Sequence, residues 1–165
     1  MTHYPVDKKK SGAENQNFCM VNEKESQKVI SCFYGGSVPV TRPFGIQEVN
    51  DAIEQTWSSR PSEQWNVARA CISPSKINIT VGTSSIVDCR ISCLSFFGIA
   101  QGNIKLCGFI QRTVFNAFVC HVLMCEPNAG HFCHALKAAC ELRYQQFLDS
   151  QHDRDRNRQS GYCSF

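Results

Sequence analysis

EPNAGHFCHALKAACELRYQQFLDS, residues 126–150, carries more apolar surface than a helix resting on a single core can use. From Ala129 onward the pattern predicts a helix about 30 Å long at 1.5 Å per residue. Phe132, Leu136, Ala139, Arg143 and Phe147 follow the three- and four-residue spacing of one stripe. Ala135, Ala138, Cys140, Leu142 and Tyr144 widen that stripe to well over half of the circumference. One flank closes a core, and the other needs a second neighbour.

The segments before this helix supply candidates. KVISCFY (28–34) reads as a strand, and Gly35-Gly36 then permits a turn or bulge. IQEVNDAIEQTW (46–57), after Pro43 and Gly45, sets Ile46, Val49, Ile53 and Trp57 on one helical face. SSRPSEQW breaks it. Strand-like segments follow: VARACI, KINITV, VDCRISCLSFFGIA, KLCGFIQRT and AFVCHVLMCE, punctuated by SPS, GTSS and QGN. The order predicts an α+β fold: a sandwich or partly open barrel of about seven antiparallel strands, capped by the last helix. A barrel left open beside that helix exposes an edge strand. LSFFGIA (94–100) is the candidate, because it has no charge and no proline but two aromatics. A peptide pairing with it would take main-chain hydrogen bonds and lay alternate side chains toward the helix. Simple burial of strand and helix against each other is the competing reading.

At 165 residues the chain is expected to form one domain, residues 27–149, between polar tails at 1–26 and 150–165. The first tail is expected to be disordered around KKKSGAENQN, and SQHDRDRNRQSGYCSF is expected to be a tail of the same kind. Its final YCSF does not fit prenylation. A net charge of +3 without a basic block gives no reason to expect nucleic acid as a partner. The polar start, MTHYPVDKKK, is expected to carry no export signal, and no apolar run approaches a membrane span. Eleven cysteines, an odd number lying mostly in aliphatic segments, read as reduced packing thiols of a cytoplasmic protein, with the nucleus also open.

Site chemistry is sparse. Cys120, His121, Cys125, His131, Cys133 and His134 lack the spacing of a zinc site, so no metal or other cofactor is expected. A Cys-His hydrolase with Cys133 or Cys140 would need an activating base and a tight nucleophile turn, and none is visible, so no enzyme is expected. Lys8, Lys9 and Lys10 sit in the first tail, while Arg154, Arg156 and Arg158 alternate with Asp153 and Asp155. Binding to a phosphoinositide or acidic membrane is therefore only an alternative, and membrane contact is expected to be indirect.

Residues from about 28 to 149 resemble a phosphotyrosine-binding (PTB) domain of the pleckstrin-homology superfamily. They are most similar to the second PTB domain of the amyloid-precursor-protein-binding family B adaptors. The resemblance rests on GGSVPVTRPFGIQEVNDAIE, SEQW, DCRISCLSFFGIA, FVCHVLMCEPNA and ALKAACELRYQQFLD, with Cys120-His121-Val122 as the widespread Cys-His-aliphatic step. It implies an adaptor that binds Asn-Pro-x-Tyr segments in cytoplasmic tails of membrane proteins, the amyloid precursor family first among them. By position, Leu94, Ser95, Phe96, Phe97, Gly98 and Ile99 would pair with the peptide. Leu136, Cys140, Arg143, Tyr144 and Phe147 would face it from the helix. Many PTB domains have an aromatic where Cys140 falls. The usual Tyr-Leu-Gly of the first strand is Tyr34-Gly35-Gly36 here, which removes an apolar anchor. The family's adaptors also carry a WW domain and another PTB domain upstream, absent from these 165 residues. The positions that hold basic residues in phosphate-requiring relatives are Gln111 and Phe118, and Arg112 is expected on the opposite face. Recognition is therefore expected not to need tyrosine phosphorylation. Self-association through the edge strand is the remaining alternative.

Overall fold

The computed structural model describes residues 26–160. The expected disorder of the first tail, and the YCSF terminus, lie outside the described residues. In chain order the elements are β1 (Lys28–Val40), α1 (Ile46–Ser59), β2 (Asn66–Ile72), β3 (Lys76–Val81), β4 (Ser84–Arg90), β5 (Leu94–Ile99), β6 (Leu106–Arg112), β7 (Phe118–Met124) and α2 (Gly130–Ser160). All strand pairs are antiparallel, in the order β4-β3-β2-β1-β7-β6-β5. The pleckstrin-like α+β architecture expected from the sequence is the one found.

β1 does not stop at the glycine pair. Residues 28–34 pair with β2, while 33–40 pair with β7 across a bulge between Tyr34 and Gly36. One strand thus belongs to both halves of the sheet, and the bulge turns the corner between them. Gly36 takes the positive φ of 128° that this corner needs. A methyl on Gly35 would come within 2.9 Å of the Trp65 indole, which is 4% exposed. Trp65 therefore fills the place that a larger side chain at position 35 would take. Its Nε1–H donates to the Arg60 carbonyl at 3.1 Å.

Both faces of the β6 half are buried, which explains the unbroken run of apolar residues in LCGFI. Cys107 and Phe109 join a core with Ile77, Ile79, Leu123, Phe132 and Leu136, closed by α2. Leu106 and Ile110 join Cys120, Val122, Val49 and Ile53 beneath α1. The buried stripe of α1 is Val49, Ala52, Ile53 and Thr56. Ile46 and Trp57, expected on that stripe, sit at its rim and are 36% and 44% exposed.

Two further expectations change. VDCRISCLSFFGIA is not one extended segment, because a 3-10 turn at Ile91–Cys93 separates β4 from β5. α2 also continues through Ser160, well past the expected domain edge at residue 149. After Gly130 the chain contains no Gly or Pro until Gly161. The pairs Asp153/Arg156 and Asp155/Arg158 have the i,i+3 spacing that supports an exposed helix. The polar stretch expected to be a disordered tail is thus a solvated helix over its described part.

Candidate functional site

β5 is an end strand of the sheet, paired with β6 in the register Phe96↔Ile110, Phe97↔Phe109, Gly98↔Gly108 and Ile99↔Cys107. The Ala100 N–H donates to the Leu106 carbonyl at 2.8 Å. Antiparallel ladders alternate, so Phe96, Gly98 and Ala100 turn their main-chain groups toward β6. Phe97 and Ile99 turn theirs to the open edge. Ser95 stands in a register shift between Leu94 and Phe96, and its Oγ donates to the Ile110 carbonyl at 3.1 Å.

The side chains of β5 divide between the two cores. Leu94, Phe97 and Ile99 are half-buried on the α2 side, against the same cluster as Cys133 and Cys140. Phe96 lies on the α1 side. Gly98 is there too, since a methyl on it would meet Ile46 Cδ1 at 2.8 Å. Two thiol neighbourhoods fix the direction of α2. Cys107, opposite Ile99, hydrogen-bonds the thiols of Cys125 and Cys133, which holds Cys107 protonated far above the usual thiol range. At the other end, Cys140 and Cys93 are neighbours of Cys89, whose thiol is pushed up to about 12, chiefly by burial. Hence α2 passes from the end of β5 toward its start and then projects beyond it.

This geometry sorts the helix residues implied by the resemblance. Cys140 is half-buried beside the start of β5. Arg143, Tyr144 and Phe147 lie on the projecting part, with Tyr144 64% and Phe147 54% exposed. Leu136 is wholly buried in the core and has no surface to offer a peptide. Leu142 belongs to the opposite flank, where it lines a cavity of about 90 Å³ with Ala135, Ala138, Ile72 and Pro74. The broad apolar circumference of the helix therefore serves a core, a contact with β2, and half-buried thiols that pack against the same core as Leu94, Phe97 and Ile99 of β5.

Beyond the start of β5 lies a cavity of about 550 Å³, bordered by Asp88, Arg90, Cys93, Gln111, Arg112 and Asn116. Gln111 and Phe118 do not share a site. Phe118 stands opposite Arg112 in the ladder, whereas Gln111 stands opposite Val119 on the other face. Arg112 nevertheless borders the cavity because it ends its strand, and Arg90 joins it across the 3-10 turn. Sequence reasoning missed Arg90 because the turn was read as extended chain.

Gln111 is held from behind. The His121 Nε2–H donates to Gln111 Oε1 at 2.8 Å, and the Tyr34 hydroxyl donates to His121 Nδ1 at 2.9 Å, an assignment that makes a neutral ring satisfy both bonds. Burial pushes the imidazole down to about 4, from an ordinary 6.5. The unfolded chain therefore takes up the proton first as the pH falls. This group's contribution is complete above about pH 6.5 and shrinks toward pH 4, by about 2–3 kcal/mol. Denaturant titrations at pH 7 and pH 4.5 should show that loss, and His121→Gln should flatten it.

Cys120 packs beneath α1 while His121 and Cys125 face the other core. Among the described residues, no three His, Cys, Asp or Glu side chains converge as a metal site. Burial raises the Cys140 thiol, the reverse of an activated nucleophile. No described helix is long and apolar enough to cross a membrane.

Comparison with known proteins places this geometry. The model of the phosphotyrosine interaction domain (PTB/PID) matches residues 34–150. The chain is 40% identical over 127 residues to Protein Fe65 homolog of Caenorhabditis elegans, covering 76% of this chain and 19% of that protein. It is 28% identical over 122 residues to the mouse amyloid-beta A4 precursor protein-binding family B member 3, covering 70% and 25%. The chain thus spans about a fifth to a quarter of the curated relatives it matches. The solution structure of the C-terminal phosphotyrosine interaction domain of mouse APBB2 superposes with a TM-score of 0.67 at 31% identity, covering 73% of this chain and 90% of that one. The chain belongs to the phosphotyrosine interaction domain family, a family of non-enzymatic protein-interaction modules, and to its branch in the Fe65-type adaptors.

Proposed function

We propose that the open edge of β5 and the facing side of α2 bind an Asn-Pro-x-Tyr segment in the cytoplasmic tail of a membrane protein. The observation that carries this reading is the outward main chain of Phe97 and Ile99 beside the half-buried apolar side chains of β5 and α2. The peptide adds an antiparallel strand, taking two residues' worth of ladder bonds and laying alternate side chains toward Cys133 and Cys140. Its direction is set by β5, so the Asn-Pro turn falls near Leu94. The motif tyrosine then lies between the strand-end cavity and the projecting Tyr144 and Phe147. A tail of the amyloid precursor class is the first choice, in keeping with the relative named for binding that precursor. The module works in the cytoplasm as an adaptor and reaches the membrane through its partner.

Phosphorylation of the tyrosine is not required in this reading. Arg90 and Arg112 are exposed and share their cavity with Asp88, so a phosphate there gains less than from a buried bidentate pair. Calorimetric titration with an amyloid-precursor tail peptide of about 30 residues tests both statements. Micromolar or tighter binding of the plain peptide, within about tenfold of its phosphorylated form, is expected. A phosphopeptide bound more than tenfold tighter would overturn phosphate independence. No binding of either form by folded monomer would remove this class of tail. Self-association through the same edge would appear instead as a concentration-dependent mass in sedimentation.

A further inference from the structure

At the far end of β5, on the α1 side, lies a second cavity of about 470 Å³. Its walls include Asn50, Asp51, Glu54 and Trp57 from α1, and Gln101 and Asn103 from the loop that follows β5. Asp51 and Glu54 are exposed on the helix, and no Lys or Arg is among the lining residues. Trp57 is 44% exposed and is held edge-on against buried Trp65 at 5.7 Å, so its ring is a fixed wall. The loop is tied down where it meets the helix, since the Gln101 N–H donates to Asn50 Oδ1 at 3.3 Å. Gln47 donates to one oxygen of Asp51 at 2.7 Å, which orients that carboxylate. Two carboxylates, amide oxygens and an aromatic ring are the partners of a cation on a long apolar stem.

We infer that this cavity is a subsite for a Lys or Arg side chain of the bound tail, placed N-terminal to the segment paired with β5. The inference rests on the strand-addition reading and deepens it. An antiparallel peptide has its N-terminal side at Ile99, and the next residues upstream pass Ala100–Asn103, the loop that forms one cavity wall. In a tail that leaves the membrane at its N-terminal end, the upstream side is also the membrane side. Basic residues concentrate there, because cytoplasmic flanks of membrane spans are rich in Lys and Arg. Cavity charge, strand direction and the composition of such tails agree.

The test compares two synthetic peptides that share an Asn-Pro-x-Tyr motif and about six apolar and polar residues before it. One is extended upstream by Lys-Lys-Arg and the other by Ser-Gly-Ser. Titrated against the whole chain at low and at high salt, the basic extension should tighten binding by about tenfold at low salt, and less at high salt. The double variant Asp51→Asn, Glu54→Gln should abolish that gain and leave the affinity for the Ser-Gly-Ser peptide unchanged. Circular dichroism should match wild type, as both side chains are exposed. Equal binding of the two peptides by wild type would overturn the subsite and leave the β5 reading intact. A gain that survives in the double variant would assign it to another surface. Failure of both peptides to bind would overturn the subsite together with the reading beneath it.

Discussion

Ile99→Pro is expected to weaken binding of the plain tail peptide by about thirtyfold while the domain stays folded. The Ile99 N–H points away from β6, as the ladder alternation fixed by the Ala100-to-Leu106 bond requires. Proline on an edge strand with its ring toward solvent leaves the internal ladder intact. It removes one donor from the peptide's ladder, and its ring displaces the carbonyl that would pair there. Two main-chain bonds at about 1 kcal/mol each account for the expected loss. Ile99 is half-buried, so a stability loss of about 1 kcal/mol should accompany it. Titration checks the affinity and thermal melting checks the fold. Near-wild-type affinity in a folded Ile99→Pro domain would show that this edge is not where the peptide pairs.

Phe132→Ala is expected to cost about 3–5 kcal/mol of stability, the largest effect of any alanine substitution in α2. The ring is wholly buried and lies 6.2 Å, centroid to centroid, from that of Phe109, so truncation leaves a cavity at the join between helix and sheet. Phe147→Ala gives the contrast. It is 54% exposed on the projecting part of the same helix and should cost less than about 1 kcal/mol in stability, while weakening the peptide several-fold. Denaturant unfolding of both variants, set beside peptide titration, separates the part of α2 that closes the core from the part that meets a ligand. Comparable destabilisation by both would contradict this division.

What the sequence disclosed follows from which interactions are local. LSFFGIA could be read as an unusual edge because its lack of charge is a property of the segment itself. The fold followed from short strands and one long helix. β1 was cut short in that reading because Gly35-Gly36 resembles a turn. Only distant partners show otherwise: Trp65 requires position 35 to be small, and β7 pairs with the strand beyond the bulge. Leu136 read as groove-facing because periodicity places it within one turn of Cys140, yet it points into the core. The polar end of α2 read as a tail, since amphipathicity was the helical signal and a fully solvated helix has none. Neither cavity at the ends of β5 was legible. Each is assembled from segments far apart in the chain: Arg90 with Arg112 and Asn116 at one end, Asp51 and Trp57 with Gln101 at the other.

The most direct test of strand addition at β5 is amide hydrogen exchange, resolved by residue, with and without saturating plain tail peptide. The amides of Phe96 and Gly98 are directed into the ladder with β6 and should change little. Those of Phe97 and Ile99 should exchange at least about tenfold more slowly once the peptide is bound, because each gains a partner strand. A saturated complex in which Phe97 and Ile99 exchange as fast as in the free domain would contradict the account.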